Sequence, residues 1–405
     1  MESNVLKACG LDVHQASVTA CIIRQGLPRQ VKTFGTTTIE LLSLKLWLQQ
    51  HEITHIAMES TGVFWKPVLN VLGEDFSIIL ANARHIKNVP GRKTDVKDCE
   101  WICQLLRAGL LQPSFIPPVC IRELRDMMRY QKKLQHQATQ QKNRIHKLLQ
   151  EANIKITAVL SDIFGATGMR ILRSLAQGLT DPEVLSKYLL KNKRLIPKIN
   201  KAKEALTGCF SVRHQFLLQS LLRYHDFLDS EINKIEQQTD IMIEPFKTEY
   251  ELLQTIPGVK GKAAKTIIAE IGIDMSIFRS AQHLCSWAGL CPGNNESAGK
   301  KKNARITHGN TYLKALLIEC AWSSVLVRNT YLRSKFYLLC SRMGSKKAQV
   351  AIAHKILIAC WHILKYKVAY KDLGEVYLSK DKQERITNHY IKKLQQLGYQ
   401  VQLAS

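Results

Sequence analysis

A chain of 405 residues with 45% hydrophobic side chains has length for two or three domains with real cores. Lys and Arg total 58 against 33 for Asp and Glu, a formal net charge of +25. That balance points to a polyanionic partner, because each neutralised phosphate releases condensed counterions. Membrane surfaces are also anionic, but no apolar run reaches the ~20 residues a bilayer span requires, and the N-terminus lacks the basic-then-apolar pattern of a secretory signal. Eleven cysteines without a CxxC pair read as reduced, mostly buried thiols of a cytoplasmic protein, not as disulfides or a zinc site.

Period and punctuation mark the first ~110 residues as an alternating α/β unit. Val5–Asp12 reads as a strand, 17–26 as a second with Gly26 closing a hairpin, and 29–36 as a third. Apolar residues at helical spacing predict a helix over 38–50. A short buried strand over 54–60 ends at Glu59 and leads into a helix through Leu72. The strand 76–82 follows, then a helix capped by Thr94 and running to about Ala108. Three strands, a helix, a strand, a helix, a strand and a helix is the order of an RNase H-like sheet.

From about Cys120 to Pro245 the sequence turns long, polar and helical. Heptad-like steps run through Leu218, Leu221, His225, Leu228, Ile232, Ile235, Thr239 and Met242. A weaker series runs through Leu124, Met127, Gln131, Leu134, Ala138, Gln141, Ile145 and Leu148. Such seams suit a coiled coil, and His225 reads as a polar seam residue before it reads as a ligand. Pro182 and Pro197 break shorter helices between the seams. The expected organisation is a metal-binding α/β domain over 1–115, a coiled-coil assembly region over 116–247, a mainly helical domain over 248–370, and a helical tail over 371–405.

Four acids stand where metal-dependent phosphodiester chemistry would need them: Asp12 after the first strand, Glu59 at the tip of another, and Asp95 with Asp98 three residues apart. Residues at that spacing on a helix share a face. Hard cations such as Mg²⁺ or Mn²⁺ take carboxylate oxygens plus substrate phosphates, and a pair of them can stabilise attacking and leaving oxygens at phosphorus. Singly, each acid also fits a turn, a solvated strand end or the positive end of a helix.

Downstream, Ser297 lies between Asn294-Asn295 and Gly299 in a loop that turns basic through Lys300, Lys301, Lys302 and Arg305. A serine there can act as a nucleophile if a base or metal activates it; a solvated phosphate-binding loop explains the same composition. The turn Pro257-Gly258-Val259-Lys260-Gly261, with Lys262 after it, sits between two helical segments. Its layout is that of a helix-hairpin-helix, which grips a phosphate backbone through glycines and a helix N-terminus. A tight turn packed in a core reads the same way. His308 and Asn310 fit a phosphate contact or a cap for the helix over 311–327. Arg122, Arg125, Arg129, Lys132 and Lys133 form a basic helix face that suits a nucleic-acid backbone or a solvated flank.

Five fragments in this order carry a resemblance: "GLDVHQASV", "AMESTGVFWKPV", "GRKTDVKDCEWICQLLRAGLL", "IPGVKGKAAKTIIAEIG" and "WAGLCPGNNESAGKKKNARITHGNTYLKALLIECAW". Together they resemble the DEDD-type insertion-sequence transposases, among them bridge-RNA-guided recombinases, across nearly the whole chain. The resemblance implies a RuvC-like RNase H domain, a coiled coil for assembly and a C-terminal transposase domain. Carried over by position, Asp12, Glu59, Asp95 and Asp98 would hold divalent metal, Mg²⁺ or Mn²⁺, and Ser297 would be the nucleophile. Implied partners are the DNA of element ends and target site, a structured guide RNA and further copies of the chain as a dimer or tetramer, in a bacterial cytoplasm at the nucleoid. Pilin-gene invertases share the layout. Ala298 intervenes before Gly299 where relatives often have glycine directly after the serine, and His308 and Lys314 stand at positions often basic in relatives. The resulting expectation is a recombinase that cuts and exchanges DNA strands through phosphoserine. The alternatives are a Holliday-junction-resolvase-like nuclease using water, and an architectural nucleic-acid-binding protein.

Overall fold

The computed structural model describes residues 5–60, 62–83, 86, 97–293, 295–297, 300–303, 305–375, 377, 387 and 391–396, with the backbone alone at 295–297 and 300–303. Two compact units divide it, 1–116 and 117–405.

The first unit is a five-stranded sheet with helices on both faces. Its strands are β1 (Lys7–Val13), β2 (Ser17–Arg24), β3 (Gln30–Gly35), β4 (His55–Glu59) and β5 (Ser77–Ala81). Their spatial order is β3-β2-β1-β4-β5; β1, β2 and β3 are antiparallel, and β4 and β5 run parallel to β1. Gly26, at φ +76°, sits in the β2–β3 turn, where a left-handed backbone costs glycine little.

Helices α1 (Thr38–Gln50) and α2 (Trp65–Leu72) cover one face. They bury Leu41, Leu44, Leu48, Val68 and Leu72 against Leu11, Ile56 and Met58. Helix α3 (Asp98–Arg107) covers the other face, burying Ile102 and Cys103 against Ala8 and Ala57. Lys97 stands in its cap position without a side-chain hydrogen bond; Thr94, the expected cap, lies outside the described residues.

In the second unit, α4 (Val119–Glu151) and α8 (Val212–Ile243) are the long helices. Between them come α5 (Ala166–Ala176), α6 (Pro182–Ser186) and α7 (Ile199–Leu206). The two seams read from the sequence face each other inside one chain. Ile145 and Leu148 join Leu218 and Leu222 in one cluster, and Leu134 and Ala138 join Leu228 and Ile235 in another, so the pair is antiparallel. The seams expected to assemble protomers thus pack on each other within the chain along these clusters. His225 lies in that seam, 3% exposed and stacked on Phe164 at 5.5 Å, with no opening for a substrate.

Beyond α8 come α9 (Lys247–Gln254), α10 (Gly261–Ile271), α11 (Ala281–Trp287), the hairpin strands β6 (Asn295–Ser297) and β7 (Lys300–Asn303), α12 (Thr311–Leu326), α13 (Tyr331–Met343) and α14 (Ser345–Tyr366). Helix α10 packs on α4, and α11, α12 and α13 pack on α14. Elements from both sides of position 248 therefore share one compact unit. All eleven cysteines are free and seven are buried. Among the described residues no helix is long and apolar enough to cross a membrane.

Candidate active site and nucleic-acid interface

Three of the four acids, Asp12, Glu59 and Asp98, lie at one end of the first unit's sheet. Leu11 pairs with Met58 across the parallel β1–β4 ladder, so Asp12 and Glu59 are the next residues along neighbouring strands at their carboxyl ends. Side chains alternate faces along a strand. Leu11 and Met58 point to α1 and α2, whereas Ala8 and Ala57 point to α3, so Asp12 and Glu59 emerge on the α3 side.

Gly10 fixes the third acid. A Cβ there would lie 2.1 Å from the Cys99 carbonyl oxygen and 2.5 Å from the Cys103 nitrogen. The bare backbone lets α3 lie directly on β1, with Asp98 as the helix's first residue above that end of the sheet. Asp98 is exposed, and Asp12 is partly so. His14 Nε2 stands 3.2 Å from Asp12 Oδ2, a neighbour that the motif reading missed although it lies two residues away. Asp95, the fourth acid, lies outside the described residues.

The donor set of Asp12, Glu59 and Asp98 is purely hard oxygen, which suits Mg²⁺ or Mn²⁺. Among the described residues no three His, Cys, Asp or Glu side chains converge into a complete metal-binding group. The placement on strand ends and a helix start nevertheless fits carboxylates that share a cation.

Ser297 belongs to the second unit. The sequence reads as a loop, but the backbone pairs Ser297 with Lys300 and Glu296 with Lys301, so Ser297 ends strand β6 of a short hairpin. The difference has a physical cause: a two-stranded ladder of polar residues is held by backbone hydrogen bonds and leaves no apolar period to read. The base of this hairpin is tightly anchored. Gly293 N–H donates to the Arg305 carbonyl at 2.8 Å, Thr307 N–H donates to the Cys291 carbonyl at 3.0 Å, and Pro292 bridges to Ile306. Below that, a Cβ on Gly309 would lie 2.4 Å from the Gly289 nitrogen, so the two strands of the base touch backbone to backbone.

Asn310 then caps α12, its Oδ1 accepting from the Leu313 N–H at 3.0 Å. Asn310 Nδ2 also donates to Glu270 at 2.6 Å, while His308 stays exposed. Lys300, Lys301 and Lys302 follow on β7, and Arg305 is exposed at the hairpin's base.

The turn between α9 and α10 is a tight corner. Gly258 has φ +88°, and a Cβ there would lie 2.5 Å from both the Cys320 carbonyl and the Ser324 nitrogen of α12. A Cβ on Gly261 would meet the Tyr250 hydroxyl at 2.6 Å. These glycines therefore answer to internal packing, where the sequence also allowed an approach to phosphate. Lys260 and Lys262 remain exposed, and no side chain caps the first N–H groups of α10. Lys265, one turn on, is buried against Asp240.

Of the basic face expected along α4, Arg125 and Arg129 turn inward, while Lys132 and Lys133 stay at the surface. Arg129 forks onto both Glu270 oxygens at 2.7 Å. Arg125 donates to the Ala269 and Glu270 carbonyls at 2.9 and 2.8 Å. Burial pulls the Arg125 guanidinium down to about 10 against the upward pull of Glu270, so it stays cationic at neutral pH. Lys132 reaches Glu319 at 3.2 Å, and Lys133 is exposed.

Two family comparisons fit this arrangement. Residues 9–154 match the DEDD transposase model of the IS110 type, and residues 250–338 match the transposase IS116/IS110/IS902 family. The first match includes every acid and the second includes Ser297; together they take in more than half of the chain. The chain belongs to the IS110-type DEDD transposases. A relative from Sinorhizobium fredii, named as the transposase y4qE, is 22% identical over 329 residues, 78% of this chain and 70% of its own length. The chain is thus a transposase enzyme whose partner is DNA, and the DEDD domain brings a general dependence on divalent metal.

Proposed function

We propose that this transposase excises and inserts a mobile element by exchanging DNA strands through a covalent phosphoserine intermediate. The observation that carries the reading is the register of the first unit: Asp12 and Glu59 side by side at parallel strand ends, under Asp98 on a helix held to the sheet at Gly10. The strand order, three antiparallel strands followed by two parallel ones, supports an RNase H-like, RuvC-like sheet.

Asp12, Glu59 and Asp98, with Asp95, would hold Mg²⁺ or Mn²⁺. A divalent cation there would supply charge stabilisation for the attacking and leaving oxygens at phosphorus. Ser297 Oγ attacks the scissile phosphorus; the Oγ–P bond forms, the P–O bond to one strand breaks, and the released strand end takes the serine proton. A hydroxyl from the other DNA then attacks the phosphoserine, its proton returning to Ser297. One phosphodiester replaces another, so no external energy source is needed.

Lys260 and Lys262 at the α9–α10 turn, with the uncapped start of α10, grip a backbone in the manner of a helix-hairpin-helix, on a corner that Gly258 and Gly261 hold tight by internal packing. Lys300, Lys301, Lys302 and Arg305 draw the phosphate toward the serine. Sequence choice is delegated to a structured RNA, recognised by shape and backbone. The basic excess of +25 supports two nucleic-acid partners as readily as one.

The test is a nicked suicide DNA substrate incubated with the protein, Mg²⁺ and RNA transcribed from the element's flanks, then run on a denaturing gel. A slow, protease-sensitive DNA adduct in the wild type and none in Ser297→Ala is the expected result. Efficient cleavage by Ser297→Ala, with no adduct in either protein, would make water the nucleophile and favour a resolvase-like nuclease.

A further inference from the structure

One cavity in the second unit, of about 520 Å³, borders the α9–α10 turn and contains none of the acids nor Ser297. Its size falls within the ~300–1,000 Å³ of small-molecule and cofactor sites. Helix α12 presents Tyr312, Ala315 and Leu316 to it, a strip at helical spacing, and Met128 of α4 completes an apolar wall. Opposite stands the start of α10, with Lys260 and Lys262 at its first turn and Thr266 one turn deeper. The cavity thus has an aromatic, mostly apolar strip from α12 and Met128, the Lys260 and Lys262 cations with free N–H groups at the start of α10, and two ion pairs, Arg129–Glu270 and Lys132–Glu319, in its lining.

The charges around it are not balanced internally. Glu270 is sealed by Arg129, and Glu319 is paired with Lys132 at 3.2 Å. Among the described residues no carboxylate stands within ion-pair distance of Lys260 or Lys262, so these two carry the surplus. Lys262 is open to solvent but lies along the cavity, and this partial desolvation pulls its ammonium below the usual lysine range; neighbouring Lys132 adds to that, while Glu236 opposes it. An anion arriving beside Lys262 would stabilise its charged form. Tyr312 is held in place by the Arg129 guanidinium, 4.7 Å from its ring centroid.

We propose that this cavity receives a single unstacked nucleotide, its base against the Tyr312–Ala315–Leu316 wall and its phosphate at Lys260, Lys262 and the start of α10. The proposal rests on the reading of the α9–α10 turn as a grip on a nucleic-acid backbone. A strand held there runs past the mouth of a cavity whose wall suits a base and whose rim suits its phosphate. A metabolite would need polar recognition on several sides; here Arg129 and Lys132 are already paired with Glu270 and Glu319, and the cations outside any ion pair lie at the start of α10. An enzyme that exchanges strands handles unpaired nucleotides at each exchange, and stacking of one base on an aromatic wall favours its capture without regard to sequence.

The experiment uses the full-length protein and labelled 20-base-pair duplexes, fully paired or carrying one bulged 2-aminopurine, made as DNA and as RNA. Anisotropy titrations give the affinity ratio of bulged to paired duplex, and 2-aminopurine fluorescence reports the environment of the extra base. We expect the bulged duplex to bind about tenfold tighter in at least one of the two nucleic acids, with a change in fluorescence on binding. A preference in DNA alone assigns the cavity to the recombining strands; a preference in RNA alone assigns it to the guide. Ala315→Trp fills the cavity from an exposed helical position and should bring the ratio to about one, its fold checked by thermal melting. Equal binding of bulged and paired duplexes by the wild type in both nucleic acids, or a ratio unchanged by Ala315→Trp, overturns the proposal. The Lys260→Ala, Lys262→Ala double variant tests the underlying grip separately: if it binds paired duplex as the wild type does, the backbone reading itself fails.

Discussion

Asn310 holds Glu270 with one end of its amide and the first turn of α12 with the other, at 2.6 Å and 3.0 Å. Arg129 of α4 occupies both oxygens of the same carboxylate, which is 1% exposed. One buried acid thus ties α4, α10 and the foot of the serine hairpin together. Charges so deeply buried hold only where their partners are complete.

Removing half of that pair should be costly. Glu270→Gln deprives the Arg129 guanidinium of its paired carboxylate; breaking a fully buried pair costs about 3–5 kcal/mol, and with Arg129 partly open to solvent the loss here should fall at or below the lower end. We expect a lower melting temperature in thermal unfolding and a loss of strand transfer exceeding the loss of duplex binding, because the hairpin's anchor loosens. Replacing both partners, Glu270→Leu with Arg129→Met, should recover much of the melting temperature. An unchanged melt for Glu270→Gln would show that the network carries little.

The acids answer to a different measurement. Asp12→Asn, Glu59→Gln or Asp98→Asn each removes a charged oxygen donor and should lower strand cleavage by several powers of ten while leaving DNA binding nearly intact. Chelation by EDTA should abolish cleavage by the wild type, with recovery on adding Mg²⁺ or Mn²⁺. Near wild-type cleavage by Asp12→Asn or Glu59→Gln at ordinary Mg²⁺ concentration would end the metal assignment.

The α4–α8 seam should respond sharply to charge. Leu228 is 1% exposed and packs with Leu134, Ala138 and Ile235 of its own chain. Leu228→Asp places an unpaired charge in that cluster, which a low-dielectric core tolerates poorly. Circular dichroism should show early melting and limited proteolysis should cut within α4 or α8. A variant that melts like the wild type but sediments as a smaller species would return the seam to an intermolecular role.

Much of the first unit was legible because its signals are local. Period-two alternation and the turn at Gly26 mark the strands, and Asp12 and Glu59 stand where those strands stop. The seams of α4 and α8 were legible as positions but not as a pairing, since a heptad stripe does not say whose helix it faces. Arg125 and Arg129 read as a solvated or nucleic-acid-facing row because their partner, Glu270, lies 141 residues beyond Arg129 and has no sequence signature. Ser297 read as a loop residue because a polar two-stranded ladder has no apolar period. The cavity beside Tyr312 had no signal in sequence at all: its wall comes from α4, α10 and α12, which only packing brings together.

Internal and external cations should part ways when salt is varied. Lys260 and Lys262 are exposed at the α9–α10 turn, whereas Arg125 donates to backbone carbonyls inside the unit. Every duplex DNA phosphate that the protein ceases to neutralise lowers the slope of log K against log salt by about 0.9. Lys260→Ala should therefore flatten the salt dependence of duplex binding by about that much and weaken affinity similarly for unrelated sequences. Its melting temperature should stay near that of the wild type, because an exposed lysine contributes little to the fold. Arg125→Ala should behave in the opposite way. Its salt slope should match the wild type, while its melting temperature falls because two carbonyls are deprived of a charged donor. Binding titrations from low to physiological salt, about 50 to 200 mM, paired with thermal melts of the same preparations, separate the two. A reduced salt slope for Arg125→Ala at an unchanged melting temperature would place that arginine on the DNA after all, and the basic face of α4 would have to be read as a nucleic-acid surface.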